Sequence, residues 1–303
     1  MTTTGTRSPS PAGATQRGFT LVEMVMVIVI TGILASMVAV FIVSPVRGYL
    51  DTARRAEMTD AADTALRRLA RDVRLALPNS LRVGSSVTHN YIEFILTTGG
   101  GRYRDPSDGS TGGDFLSFNS TSDVTFDVVG PMPANPAIAA GDFIVVYNLG
   151  PDYDPANAYL RGQAFCDATP AAPGCNIAAV SATAGNVITL DANPFAYQSP
   201  PLPSPSNRFH VVSSTVKAVT YECPISSPGE VKRYWNYGFN ASAPTSAPGG
   251  SSALVMSNAT CEVSYSQNVS FRNALLYVKL TLSDAASGES ITVFQQVHVD
   301  NSP

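Results

Sequence analysis

Apolar positions are unevenly distributed along the chain. From Phe19 to Val43 it reads FTLVEMVMVIVITGILASMVAVFIV, with one ionisable residue, Glu23, and no charge from Met24 to Val46. As a helix rising about 1.5 Å per residue, the uncharged stretch spans roughly 35 Å, enough for a bilayer core. A buried helix of a soluble protein is usually shorter and shows a polar face. The run therefore predicts a transmembrane helix over 19–43. A secretory signal would place its charges first, then a shorter apolar core, then a small-residue cut site. Here the run is too long for that, and the small residue Gly18 stands before it.

Beyond the run the period changes. Between Tyr49 and Leu77, apolar or small residues recur at Met58, Ala61, Ala62, Ala65, Leu66, Leu69, Val73, Ala76 and Leu77. Steps of three and four make one stripe of an amphipathic helix over 44–77. The other face carries Arg54, Arg55, Glu57, Asp60, Arg67, Arg68, Arg71 and Arg74. Acids alternate with the arginines, as on a solvated face. Asp51–Arg55 and Asp63–Arg67 have the favourable acid-first spacing. Pro45 removes a backbone donor and predicts a kink just outside the apolar run. Pro78 ends the pattern, because the residue before proline resists helix. From Phe19 to Leu77 the helix would measure roughly 88 Å, more than a small domain can bury. Its first half needs lipid or other helices, and its second half can pack on the domain that follows.

From Asn90 onward, short β-prone runs alternate with Gly/Pro/Ser-rich loops. The predicted strands are 91–96, 124–129, 142–147, 187–190, 208–212, 217–223, 231–235, 261–264, 275–282 and 291–299. In the last two, Leu276, Val278, Leu280 and Leu282 share one face, as do Ile291, Val293, Val297 and Val299, with Gln295 the exception. The Ser283–Ser290 connection suits a hairpin. Strands with no later helix imply an antiparallel sheet covered on one face by the N-terminal helix. The expected fold class is α+β, with a β-rich globular domain over 78–303. Segments 99–113, 131–141, 150–179 and 239–252 read as surface loops.

Composition narrows the function classes. Charged residues make up 14% of the chain, the net charge is −4, and 44% of residues are hydrophobic. Disorder and binding driven by net basicity are both disfavoured, so no nucleic-acid partner is expected. The segment 1–18 differs from the rest. It is rich in Thr, Ser, Pro and Gly, holds Arg7 and Arg17 and no acid, and cannot form a packed element.

Four cysteines, Cys166, Cys175, Cys223 and Cys261, allow three pairings. Cys166–Cys175 would staple a loop, and Cys223–Cys261 would link two predicted strands. No C-x-x-C occurs and the histidines (His89, His210, His298) are scattered, so disulfides in an oxidising compartment are favoured over zinc. Asp105, Asp108 and Asp114 share a Gly/Ser-rich loop, but their spacing is not that of a calcium-binding EF-hand. No nucleophile elbow, phosphate loop or dinucleotide fingerprint is present. No catalytic constellation, metal site or cofactor is expected, and the chain reads as a non-enzyme.

Glu23 is the residue the membrane helix does not explain. An acid there is costly unless it snorkels, is protonated or pairs with a cation. A cut between Gly18 and Phe19 would create an α-amine four residues away on the same helix face, and in an assembly that amine can come from a neighbouring chain.

Arg17-Gly18-Phe19-Thr20-Leu21-Val22-Glu23, followed by a long apolar run, resembles the type IV prepilin processing site. The resemblance implies a leader 1–18 removed by a prepilin peptidase, N-methylation of Phe19, and Glu23 contacting the N-terminal amine of another subunit. Further segments look like parts of the MSHA-type pilus biogenesis proteins, in particular MshO-type minor pilins. They are 77–83 (LPNSLRV), 91–94 (YIEF), 145–148 (VVYN), 206–209 (SNRF), 233–239 (RYWNYGF), 272–276 (RNALL) and 296–303 (QVHVDNSP). The partners implied are other major and minor pilin subunits and the inner-membrane pilus assembly platform. The localisation implied is single-pass in the inner membrane of a Gram-negative bacterium with the C-terminal domain periplasmic, then the pilus at the cell surface. Arg7 and Arg17 before the run do not outnumber Arg47, Arg54 and Arg55 after it. The orientation therefore rests on the resemblance and the cysteines, not on the positive-inside rule. The rival expectations are a type II secretion pseudopilin, and an uncleaved single-span periplasmic adhesin or enzyme.

Overall fold

A computed structural model describes residues 18–106, 112–161, 166, 174–270 and 273–303. The leader up to Arg17, Asp108, and the loop residues 162–165 and 167–173 lie outside the described residues. The chain divides into two compact units after Ala56.

The first unit is helical. α1 (Leu21–Val38) buries no residue, and a π-helical turn follows at Ala39–Val43. Pro45 has no N–H to offer the carbonyl of Phe41, and its ring crowds that carbonyl. The kink expected from Pro45 takes the form of this wider turn. α2 (Ser44–Arg74) continues into the second unit.

In the second unit, the α2 stripe Ala62, Leu66, Leu69, Ala70 and Val73 is buried. Each Leu or Val so buried contributes about 2 kcal/mol. The helix stops at Arg74, short of Leu77. Leu77 N–H donates instead to the Ile95 carbonyl at 2.8 Å, and Thr97 N–H donates to that of Leu75 at 2.9 Å, so the sheet captures the last residues of the pattern.

Among the described residues thirteen strands follow, all paired antiparallel. They are β1 (Arg82–Ser85), β2 (His89–Ile95), β3 (Thr97–Tyr103), β4 (Thr125–Val129), β5 (Phe143–Val146), β6 (Ile177–Ala184) and β7 (Val187–Leu190). The rest are β8 (Arg208–Val212), β9 (Ala218–Pro224), β10 (Gly229–Trp235), β11 (Ser251–Ser270), β12 (Asn273–Ser283) and β13 (Ser290–Asp300). Seven form one sheet in the order β1-β2-β9-β10-β11-β12-β13. α2 covers one face of it, over Phe94, Tyr221, Leu276, Val278 and Val297. The expected β12–β13 hairpin is present, with Ser283 opposite Ser290.

The other six strands form a closed barrel, β3-β4-β7-β6-β5-β8. The antiparallel sheet under the helix is present as expected, and the barrel is a second β element beside it. The barrel is inserted between β2 and β9, which are neighbours in the sheet. The chain leaves the sheet after Ile95 and returns to it at Ala218. Phe126, Ile144, Ile188 and Phe209 fill the barrel, with Phe126 edge-on to Phe209 at 5.8 Å. Leu77, Ile95, Val145, Tyr159, Ile177 and Val212 form a separate core at the junction.

Three segments read as loops contain strands. β3 begins at Thr97, β6 at Ile177 and β11 at Ser251. Two of the β3 glycines are required by packing: a Cβ on Gly100 would lie 2.7 Å from the Phe209 carbonyl oxygen, and one on Gly101 2.7 Å from the Phe209 ring.

Candidate functional site

The N-terminal end of α1 is built by four residues. Gly18 and Phe19 precede the helix, so the bond between them lies in non-helical, exposed backbone. Thr20 is the N-cap, extended at φ −77° and ψ 151°, and its Oγ1 accepts the backbone N–H of Glu23 at 3.2 Å. The Thr20 carbonyl accepts the first helical bond, from Met24 N–H at 3.1 Å. A side-chain oxygen here satisfies one of the orphan donors of the first turn. From the sequence, Thr20 is assigned no capping role. The signal for it was present, since Thr-x-x-Glu before an apolar run is the capping-box signature.

Glu23 lies in the first turn of α1, where the helix dipole favours a negative charge by about 0.3–1 kcal/mol. The hydroxyls further along are satisfied locally. Thr31 donates to the carbonyls of Val27 and Ile28, and Ser36 donates to that of Ile33 at 2.7 Å. Glu23 differs: among the described residues, no side chain or backbone group pairs with its carboxylate. The surrounding apolar side chains are exposed, Phe19 at 79% and Leu21 at 81%. Among the described residues, one helix, Leu21–Arg74, is long and apolar enough to cross a membrane, and its most apolar stretch is not buried.

Among the described residues, no contact requires a glycine at position 18. Its φ lies outside the left-handed region, and a Cβ there would meet nothing within 4 Å. A glycine that costs backbone entropy without relieving a clash fits selection by something outside the molecule.

The cysteines form two pairs, with no free cysteine among the described residues. Cys166–Cys175 has a Cα–Cα distance of 5.0 Å, and Cys223–Cys261 one of 5.8 Å. The second joins β9 to β11 across β10, where the register of β10 against β11 shifts between Gly229 and Lys232. Asp114 of the acidic loop is engaged by protein groups. Thr125 Oγ1 donates to its carboxylate, and its own N–H donates to Asp127 Oδ2 at 3.0 Å. Among the described residues, no cluster of three or more His, Cys, Asp or Glu is arranged to hold a metal ion.

No curated protein and no solved structure matches this chain. Residues 13–39 match the family model described as the prokaryotic N-terminal methylation motif, which covers Gly18, Phe19, Thr20 and Glu23 and supports a type IV pilin-like precursor.

Proposed function

We propose that this protein is a minor pilin precursor of an MSHA-type pilus, a structural and assembly component rather than an enzyme. Its leader 1–18 is removed after Gly18 by prepilin peptidase, and Phe19 becomes the methylated N-terminus. The observation that carries this reading is the juxtaposition, five residues apart, of a glycine that no contact among the described residues requires and an acid whose carboxylate has no partner among them. Cleavage turns the exposed Gly18–Phe19 bond into a free amine beside the positive end of α1. Glu23 of one subunit then receives the amine of another. At about 4 Å and an effective dielectric near 20, such a pair is worth about 4 kcal/mol, and it sets the axial register between two otherwise featureless apolar helices.

In this reading residues 19–43 hold the subunit in the inner membrane, 44–77 carry the helix onto the globular domain, and 78–303 face the periplasm and later the pilus surface. Two disulfides suit an oxidising compartment. The other pilins and the assembly platform are its partners. The resemblance of segments 77–83, 233–239 and 296–303 to MSHA-type proteins supports the MSHA-type reading; a type II secretion pseudopilin is the alternative. N-terminal mass spectrometry of sheared fibres tests the reading. Loss of residues 1–18 with one methyl group on Phe19 is expected. A leader retained on the functional protein overturns it.

A further inference from the structure

The seven-stranded sheet has two outer edges, and the chain treats them differently. β1 has four residues and is covered. The carbonyls of Asn240, Ala241 and Ser242 accept from the Arg82 guanidinium at 2.7–2.8 Å. Pro244 lies so close that a Cβ on Gly84 would stand 1.9 Å from its carbonyl oxygen. β13 has eleven residues and, among the described residues, pairs with β12 alone, in unbroken register from Asn273–Asp300 to Ser283–Ser290. It contains no proline, lysine, arginine or bulge, the usual devices that blunt an open edge.

The ground beside this edge is cationic. Ile291, Val293, Gln295, Val297 and Val299 form the β13 row facing α2, and Gln295 interrupts an otherwise apolar pattern. Gln295 lines an open groove with Arg67, Ala70, Arg71, Arg74 and Leu75. Arg67 is paired with Asp63 at 2.7 Å. Arg71 and Arg74 are exposed and, among the described residues, have no acidic partner. On the opposite face Phe294 is 66% exposed and stacks on Tyr277 at 6.3 Å.

We propose that β13 is an acceptor edge for an extended segment of a partner protein, one that carries carboxylates at alternate positions and aliphatic side chains between them. Side chains of an added strand alternate between faces, with about 6.6–6.8 Å between those on one face. One row stands over Gln295 toward Arg71 and Arg74, which are one helical turn apart and call for anions. The other row stands beside Phe294 and calls for apolar contact. The main-chain bonds supply affinity, and the two rows supply specificity. A second copy of β13 is the wrong occupant. It has no acid from Ser290 to Val299, so self-pairing would leave both arginines unanswered. The inference does not depend on the pilin reading.

The test uses the full chain in detergent micelles and a fluorescein-labelled peptide, Thr-Val-Glu-Val-Glu-Val-Thr, with fluorescence anisotropy as the readout. Saturable binding is expected, with slowed amide exchange confined to Ser290–Asp300 and its new partner. Three changes are each expected to weaken binding at least tenfold: Lys for Glu in the peptide, N-methylation of its alternate amides, and the double variant Arg71→Glu/Arg74→Glu. Both arginines are exposed, and an unchanged circular dichroism spectrum verifies that the variant is folded. Absence of binding, equal binding of the lysine or N-methylated peptide, or binding without protection of β13 overturns the proposal. So does concentration-dependent protection of β13 in the chain alone, which would make a second copy the occupant.

Discussion

Asp72 Oδ2 lies 2.7 Å from Arg233 Nε, and the same oxygen accepts the Tyr221 hydroxyl at 2.8 Å. These groups join the last turn of α2 to β9 and β10. The apolar stripe Leu66, Leu69 and Val73 holds the helix down, but hydrophobic contact is non-directional and leaves the helix free to roll or slide. The ion pair is directional, and it fixes where along β10 the helix ends. Burial, and next the nearby Asp72 carboxylate, raise the Tyr221 hydroxyl above its ordinary range, so it stays a donor.

Asp72→Asn is therefore expected to lower stability by about 1.5–3 kcal/mol, the range for hydrogen bonds to a charged group. Trp235 is the only tryptophan and lies in the same strand as Arg233, whose guanidinium sits 5.3 Å from its ring centre. Urea unfolding followed by its fluorescence reads the loss as a lower midpoint. Adding Arg233→Met should recover part of it, because the double change removes an uncompensated cation. A midpoint unchanged by Asp72→Asn would mean that the stripe alone positions the helix.

What could be read in advance tracks how large and how regular the buried side chains are. β12 and β13 were legible because Leu276, Val278, Leu280, Leu282 and Val297 alternate cleanly with polar neighbours. β11 was reduced to Cys261–Ser264 because Met256, Ala259 and Cys261 are its buried positions, set among serines. β3 is hidden by its glycines, two of which, Gly100 and Gly101, leave room for Phe209. The barrel depends on pairings such as Gly100 with His210, and strand periodicity carries no information about partners so distant in sequence. At the N-terminus the Gly18, Phe19 and Glu23 motif was visible in the residues alone. The Thr20 cap is less legible, because the same Thr-x-x-Glu spacing also fits a motif whose distinctive residue is the acid at 23.

The pair Arg82–Glu93 offers a second test. Glu93 is fully buried and accepts from Arg82 Nε at 2.5 Å and from the Tyr237 hydroxyl at 2.9 Å. Arg82 also lies 3.6 Å over the Tyr159 ring and holds the carbonyls of 240–242. Glu93→Gln leaves a buried cation without its anion and should cost about 3–5 kcal/mol. Arg82→Lys keeps the charge but loses the planar fork. It should release the 240–244 segment, seen as faster hydrogen exchange there while α2 and β12 keep their protection. Equal exchange in the variant and the parent would reject the idea that Arg82 pins the cover over β1.

His210 gives the barrel a pH dependence with a definite sign. Its Nε2 is buried with no partner among the described residues. Burial, and next the Arg208 guanidinium, hold its pKa below the ordinary histidine value, with Asp300 a smaller opposing influence. The folded state therefore keeps the ring neutral, while the unfolded chain takes up a proton near pH 6.5. The stability linked to His210 is complete above about pH 6.5 and is lost as pH falls toward the lower folded value, by at most about 1.4 kcal/mol per pH unit. Thermal unfolding between pH 7.5 and 5 should show this slope, and His210→Phe should flatten it. A parallel slope in His210→Phe would assign the proton elsewhere.

The last prediction separates recognition of the processing site from use of the acid beyond it. Gly18→Val adds a branched side chain where the fold has open space, so the chain itself tolerates it. A peptidase that fits a glycine does not. The expected result is full-length precursor retained in the membrane, with no mature form on an immunoblot. Glu23→Ala leaves the Gly18–Phe19 bond intact and keeps the Thr20 cap, whose donor is the backbone N–H of residue 23. It should be cleaved normally yet recovered in fibres far below the parent level, because the proposed function has this carboxylate receive a neighbour's amine. Thr20→Ala has the opposite profile, weakening the first turn by about 1 kcal/mol while leaving the charge pair in place. Quantifying precursor, mature and fibre-bound protein for the three variants resolves the roles. Parent-level incorporation of Glu23→Ala would remove the register role from Glu23 and leave the acid as a helix-terminus residue only.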